Sequence, residues 1–99
     1  MNNESISPEV TYTQSRDVVY RQVAGESLLV PIRSRLADMD YVYALDEVSE
    51  FIWQRLTDGA SAEALTAALC REFEVENDVA AGDVRRLLDE LVAADLIDS

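Results

Sequence analysis

The segment Tyr41–Trp53 passes from strand to helix with almost no loop, and it constrains the possible folds more than any other part of the sequence. Its first five residues, 41–45, are apolar and β-prone, which predicts a strand. Asp46 follows as a helix cap, and apolar residues then recur at helical spacing. Because strand and helix are joined so closely, the sheet and the helices must share one core.

Two earlier strands are predicted to form a hairpin. Residues 17–22 and 27–33 are rich in β-branched and other apolar side chains. Gly25 lies between them and can adopt the positive φ of a tight turn without steric cost. Pro31 lacks a backbone N–H, which predicts weak pairing or a sheet edge near that residue.

Three helices are predicted after the strands. The first spans about 46–57 and stops at Gly59, a residue type common at helix C-termini. Ser61 is predicted to cap the second helix, and Asn77 or Asp78 to cap the third. The side chains predicted to face the core are Val48, Phe51, Ile52, Trp53, Leu56, Leu65, Ala68, Leu69, Cys70, Phe73, Val84, Leu88, Leu91, Leu96 and Ile97.

This order of elements predicts an α+β fold that is winged-helix-like, with a three-stranded antiparallel sheet followed by a three-helix bundle. Gly82 falls in the first turns of the third helix and predicts an irregular start there. The polar N-terminal segment, in which Val10 and Tyr12 alternate with threonines, predicts an arm or a short edge strand. We therefore divide the chain into a flexible arm over 1–16 and a single domain over 17–99.

The charge of the chain restricts its partners. It holds 20 acidic residues against 8 arginines, with no lysine and no histidine, for a net charge of −12. Nucleic acids and anionic membranes are polyanions, so neither is expected as a main partner. No apolar run approaches the ~20 residues that span a bilayer. The N-terminus has no secretory signal pattern, and a cytoplasmic location is expected.

Residues that carry chemistry are scarce. Without histidine, neither a Ser-His-Asp nor a Cys-His arrangement is possible. Cys70 is the single cysteine, which excludes an ordinary zinc site, and its apolar setting predicts a buried thiol. The three glycines are isolated, so no phosphate-binding loop is present. We predict a protein that is not an enzyme and needs no metal or cofactor.

An ordered series of segments resembles the PqqD family. It consists of the strand Leu28–Ile32, the junction Tyr43–Trp53, the stop Asp58–Gly59, the helix end Arg71–Phe73, the helix pattern Asp83–Leu91 and the final Ala94–Ile97. The resemblance covers about 18–97. It implies a winged-helix-like peptide-binding module, the RiPP recognition element, with no catalytic residues. It does not by itself imply the biosynthesis of pyrroloquinoline quinone (coenzyme PQQ) rather than of another natural product.

The resemblance also implies partners and a site. Such a module binds the leader segment of a ribosomally made precursor peptide and presents it, as a peptide chaperone, to a modifying enzyme, often a radical SAM protein. The implied groove lies between the third strand and the third helix. Its predicted peptide-binding residues are Tyr41, Val42, Tyr43, Ala44, Leu45, Arg86, Leu87, Glu90 and Leu91, with Leu87 expected at the rim of the groove.

Each of these residues has another interpretation. Tyr43 and Leu45 would also suit a core position. Arg86 and its neighbour Arg85 would either meet acidic leader residues or pair with Asp89 and Glu90 at helical spacing.

Two other functions stay open from the sequence. The first is a winged-helix DNA-binding regulator, whose third helix would enter the major groove. The acidic segment 76–99, with only two arginines, argues against it. The second is a structural dimerisation domain, and the chain is expected to be a monomer or a homodimer.

Overall fold

The computed structural model describes residues 10–32 and 42–99. In chain order these residues form β1 (Thr11–Gln14), β2 (Val18–Val23), β3 (Glu26–Pro31), β4 (Tyr43–Leu45), α1 (Glu47–Arg55), β5 (Ala60–Ser61), α2 (Ala62–Phe73), α3 (Asn77–Ala93) and β6 (Ile97–Asp98). The predicted α+β fold is confirmed, since a three-stranded antiparallel sheet precedes three helices. No helix in these ranges is long and apolar enough to cross a membrane.

The first sheet has the strand order β2-β3-β4 and contains the predicted hairpin. Ala24 and Gly25 form its turn, with φ of 52° and 84°, and the positive sign at both positions is that of a type I′ turn. Pro31 pairs with Val18 of β2, and the described pairing of β3 with β4 runs from Ser27 to Leu29, so the weak pairing or sheet edge expected near Pro31 stays a prediction. Arg33 and Tyr41, which the predicted strands included, lie outside the described residues.

The second sheet was not predicted. Its order is β5-β1-β6, with Tyr12 opposite Ala60 and Gln14 opposite Ile97. The sequence suggested an arm or an edge strand for this segment, whereas β1 is the central strand of three. Its two partners have only two residues each, too few to show a strand period. The division into an arm and a domain stays a prediction, and residues 1–9 lie outside the described part.

The helix starts agree with the sequence in two of three cases. The Asp46 carboxylate accepts a hydrogen bond from the Ser49 N–H at 2.8 Å, and the Ser61 hydroxyl caps α2. At α3 the prediction was wrong, because Asn77 is already helical and Glu76 is the cap without a side-chain hydrogen bond. The link before α3 is short: α2 ends at Phe73, Glu74 follows in the left-handed conformation with φ 52°, and α3 already begins at Asn77.

The third helix is continuous through Gly82, so the irregular start that this glycine predicted is absent. The side chains on either side explain it, since Ala80 and Val84 are both fully buried. Their burial stabilises the helix by more than the ~1 kcal/mol that a glycine costs.

One core joins the sheets and the helices. Trp53 is 3% exposed, as predicted, and Leu96 and Ile97 close the core. Phe51 packs edge to face against Phe73, with ring centroids 5.4 Å apart. Cys70 departs from the prediction, because its side chain is only partly buried at the margin of this core.

Replacing Trp53 by alanine should lower the free energy of unfolding by about 3–5 kcal/mol, because the indole fills the core at the junction of sheet and helices. Such a loss would unfold much of a small domain. Chemical denaturation measures it, with Val92→Ala, at a position 49% exposed, as the matched control. A loss below about 1 kcal/mol would show that the indole does not support the core.

Gly82→Ala should raise the free energy of unfolding by about 0.5–1 kcal/mol. A Cβ at this helical position would meet no atom within 4 Å, so only the conformational entropy of the unfolded chain changes. Gly25→Ala is the control, because its Cβ would also meet open space but its φ of 84° strains an alanine. Equal effects of the two substitutions, measured by thermal and chemical denaturation, would contradict this explanation.

Candidate functional site

The outer edge of β4 is open in the described part of the sheet, because β4 stands last in the order β2-β3-β4. An open edge presents backbone N–H and C=O groups that another strand can pair with. Which residues present them depends on the phase of the hydrogen bonds in the sheet.

The hairpin turn fixes this phase. Val23 and Glu26 flank a two-residue turn, and residues in that position form a hydrogen-bonded pair. Even-numbered residues of β3 therefore direct their backbone groups to β2, and odd-numbered residues direct them to β4. The hydrogen bond from the Ile32 N–H to the Asp17 carbonyl, at 2.8 Å, has the same phase.

The phase makes Ala44 the open position of β4. Leu29 faces β4 and pairs with Tyr43, whose backbone groups therefore face β3. Ala44 lies opposite Leu28 and directs its N–H and C=O away from the sheet. By the same alternation the backbone groups of Val42 point outward too. The side chains of both residues are exposed, with Val42 at 47%.

Helix α3 lies beside this edge. The Tyr43 hydroxyl donates a hydrogen bond to Glu90 Oε1 at 2.7 Å and so connects β4 to α3. Asp83, Arg86 and Glu90 are three and four residues apart, which places them on one side of the helix. We call the surface formed by residues 42–44 together with Asp83, Arg86 and Glu90 the edge groove.

The arginine of the edge groove is held by acids. Arg86 forms an ion pair with Asp83 at 3.4 Å, whereas the sequence suggested Asp89 or Glu90 as partner. The pKa of the Asp46 carboxyl is lowered, chiefly by the hydrogen bond from the Ser49 N–H, with a smaller contribution from the positive charge of Arg86. The positive charge of Arg86 therefore acts on Asp46, the residue between β4 and α1.

The nine predicted peptide-binding residues fall into three groups. Val42, Ala44, Arg86 and Glu90 are exposed, and Tyr43 is half-buried. Leu45, Leu87 and Leu91 belong to the core at 8%, 5% and 0% exposure, so the place of Leu87 is below the surface rather than at a rim. Tyr41 lies outside the described residues.

A polar cluster that the sequence did not reveal fastens the hairpin to α1. Ser27 is buried, and its hydroxyl donates to Glu50 Oε1 at 2.6 Å, while the Tyr20 hydroxyl donates to Glu50 Oε2. These two hydrogen bonds, that of Ser27 first, lower the pKa of the Glu50 carboxyl. Because Ser27 also pairs with Leu45, the cluster fixes β4 relative to the helix.

Two clefts accompany the edge groove, one separate from it and one that shares Ala44 with it. One, of about 510 Å³, runs between α2 and α3 and is lined among others by Glu63, Arg85 and Asp89. On α3, Arg85 and Asp89 are about 100° around the helix from Arg86 and Glu90, respectively, so this cleft and the edge groove lie on different flanks of α3. The second, also about 510 Å³, lies where β4 meets α1 and includes Ala44 and Glu47. Within the described ranges no group of acids and cysteine could hold a metal ion.

The geometry first defines a class, namely a small α+β domain that offers an open strand edge beside a helix. The family model described as Coenzyme PQQ synthesis protein D (PqqD) matches residues 27–97, which is most of the chain. The protein belongs to the PqqD family. The matched range includes every described residue of the edge groove.

Two solved structures are similar to this chain. TbiB1, in complex with the TbiA(beta) leader peptide, is 25% identical, with a TM-score of 0.72 over 88% of this chain and 95% of that chain. Lasso peptide synthetase B1, complexed with the leader peptide, is 22% identical, with a TM-score of 0.72 over 89% and 98%. The second likeness shows the fold. No curated protein matches the sequence.

Glu50→Gln should destabilise the protein at neutral pH and lose this effect in acid. With a lowered pKa, the Glu50 carboxylate stabilises the fold fully above its ordinary value of 4.5, and this stabilisation disappears as the pH falls through the lower folded-state pKa. The difference in free energy of unfolding between parent and variant should therefore shrink below pH 4.5.

Urea denaturation at a series of pH values measures this difference. Glu72→Gln, which changes an exposed acid on α2, serves as the control for the change in net charge. A difference for Glu50→Gln that stays constant into acid would show that the Ser27 and Tyr20 hydroxyls do not stabilise the carboxylate.

Proposed function

We propose that this protein binds the leader segment of a ribosomally synthesised precursor peptide and presents it to a modifying enzyme. The observation that carries the proposal is the open edge at Ala44 beside α3. Membership of the PqqD family supports it, as does the likeness to TbiB1, a protein solved with a leader peptide.

The leader would add to the sheet as a further strand. Ala44 supplies one outward N–H and one outward C=O, and a strand aligned beside it forms hydrogen bonds with both. Backbone pairing of this kind binds an extended peptide with little regard to sequence, so the side chains of the groove must provide the selectivity. The leader stays attached by one edge, which leaves the rest of the precursor free to reach an enzyme.

The chemistry of modification would belong to that enzyme. The chain has no histidine and a single cysteine, so neither a Ser-His-Asp nor a Cys-His arrangement is possible in it. We propose a non-catalytic adaptor whose partner is a peptide-modifying enzyme, for example a radical SAM protein. Because precursor peptides of this type are made on ribosomes, we place this function in the cytoplasm.

Ala44→Pro should abolish leader binding while the fold is retained. Proline removes the one outward N–H at this position, and the sheet loses nothing because that group does not face β3. The ligand is a synthetic leader of a precursor peptide encoded beside this gene, titrated by calorimetry into parent and variant. Amide shifts in the parent should concentrate in 42–45 and 83–91.

Ala44→Val is the matched control, because it enlarges the side chain but keeps the N–H, and it should bind the leader as the parent does. Leader binding that survives Ala44→Pro, or amide shifts that avoid both segments, would overturn the proposed site. A salt-sensitive complex with duplex DNA, titrated in parallel, would instead favour a DNA-binding regulator; the net negative charge of 76–99 makes us expect none.

A further inference from the structure

We propose that Glu90 makes the edge groove selective for leaders with an arginine or lysine directly opposite Tyr43. This inference rests on the proposed function, since it concerns which peptides the groove accepts. It differs from one of the two alternatives that the sequence left open, in which Arg86 would meet acidic leader residues. The geometry of the added strand, the position of Glu90 and the charges around it all support it.

The added strand must place one side chain next to Glu90. In this proposal the leader runs antiparallel to β4, as β2, β3 and β4 do to one another. Its hydrogen bonds then go to Ala44 and Val42, so the leader residue opposite Tyr43 belongs to a pair without backbone hydrogen bonds. Such pairs are the closer ones, with Cα atoms about 4.5 Å apart, and their side chains lie on the same face of the sheet. The Tyr43 side chain reaches α3 on that face, and the leader side chain is therefore directed to α3 as well.

The Glu90 carboxylate is pre-organised to bind a cation. The Tyr43 hydroxyl holds its Oε1 at 2.7 Å and so restricts the rotamers of an otherwise exposed side chain. Its second oxygen has no partner among the described residues. A guanidinium or ammonium group that enters here meets a carboxylate already fixed in place, which reduces the entropy lost on binding.

The remaining charges of the groove also favour a basic residue. Arg86 is paired with Asp83 and lies within electrostatic reach of Asp46, so its charge is offset by two acids. Glu47, the first residue of α1, adds a further exposed carboxylate in the cleft that includes Ala44. An acidic leader residue would approach a surface that is negative overall, in a chain of net charge −12.

The neighbouring leader positions have a different environment. Leader residues opposite Val42 and Ala44 point to the outer face of the sheet, where these two side chains are their direct neighbours and Leu28, opposite Ala44, lies one strand further in. These surroundings are apolar and partly exposed. The accepted segment therefore has the pattern apolar, basic, apolar, in an extended conformation.

The first experiment uses a display library of linear random peptides as the probe. Selection on the parent protein should enrich peptides with arginine or lysine between two apolar residues. Selection on Glu90→Gln should reduce the enrichment of the basic residue, and selection on Glu90→Arg should replace it with an acid. Selection on Glu63→Gln is the matched control, since Glu63 lies in the α2–α3 cleft, on the other flank of α3.

The second experiment measures one enriched peptide by calorimetry, together with a version in which norleucine replaces the basic residue. For the parent the basic peptide should bind about tenfold more tightly or better, the effect expected of a charged hydrogen bond. Glu90→Gln should bring this ratio close to unity, and Tyr43→Phe should lower it, because the hydroxyl only positions the carboxylate. A merely structural role of either residue would weaken both peptides equally and leave the ratio unchanged.

The outcomes separate this inference from the function on which it rests. Peptides that bind at 42–45, by amide shifts, without a basic residue or with a ratio unaffected by Glu90→Gln would overturn the selectivity and leave the leader-binding function intact. A selection that enriches no peptide, or only peptides that bind away from 42–45, would overturn both.

Discussion

The two-residue turn at Ala24 and Gly25 is the constraint on which the rest of the structure depends. It sets the phase of hydrogen bonding across β2, β3 and β4, because pairing along antiparallel strands alternates from the turn onward. In that alternation Ala44 lies opposite Leu28 and directs its backbone groups away from β3. The turn at the end of the hairpin thus determines which residue of β4 presents its backbone groups at the open edge.

The open edge of a strand binds a peptide tightly only if the strand is already rigid before binding. Here the Asp46 cap begins α1 directly after β4, and the Glu50 carboxylate of that helix accepts hydrogen bonds from Ser27 and Tyr20 of the hairpin. On the other side, the Tyr43 hydroxyl reaches Glu90 of α3. The edge is therefore fixed from both sides, which lowers the ordering cost of adding a strand.

The features that could be predicted from the sequence are those that interactions between residues close in sequence determine. The Gly25 turn, the caps at Asp46 and Ser61 and the buried Trp53 each follow from local conformational preference or apolar spacing. It failed where residues distant in sequence meet. Tyr43 and Glu90 are 47 residues apart, and nothing in either local pattern indicates their hydrogen bond. For Leu87, helical spacing indicated the correct side of α3, but it did not indicate that the side chain is buried there.

The second sheet, also missed, supports the edge groove from a distance. β1 pairs with β6, which follows α3 directly, and the Ser15 N–H donates to the Leu96 carbonyl at 3.0 Å. The C-terminal turns of α3, which carry Glu90, are thereby tied to a strand from the other end of the chain. The Gln14 side chain also donates to the Trp53 carbonyl at 2.7 Å, so the same strand fastens α1. Helix α1 follows β4 directly, and α3 contacts β4 through the hydrogen bond between Tyr43 and Glu90. By holding both helices in place, β1 therefore contributes to the position of the edge groove without being part of it.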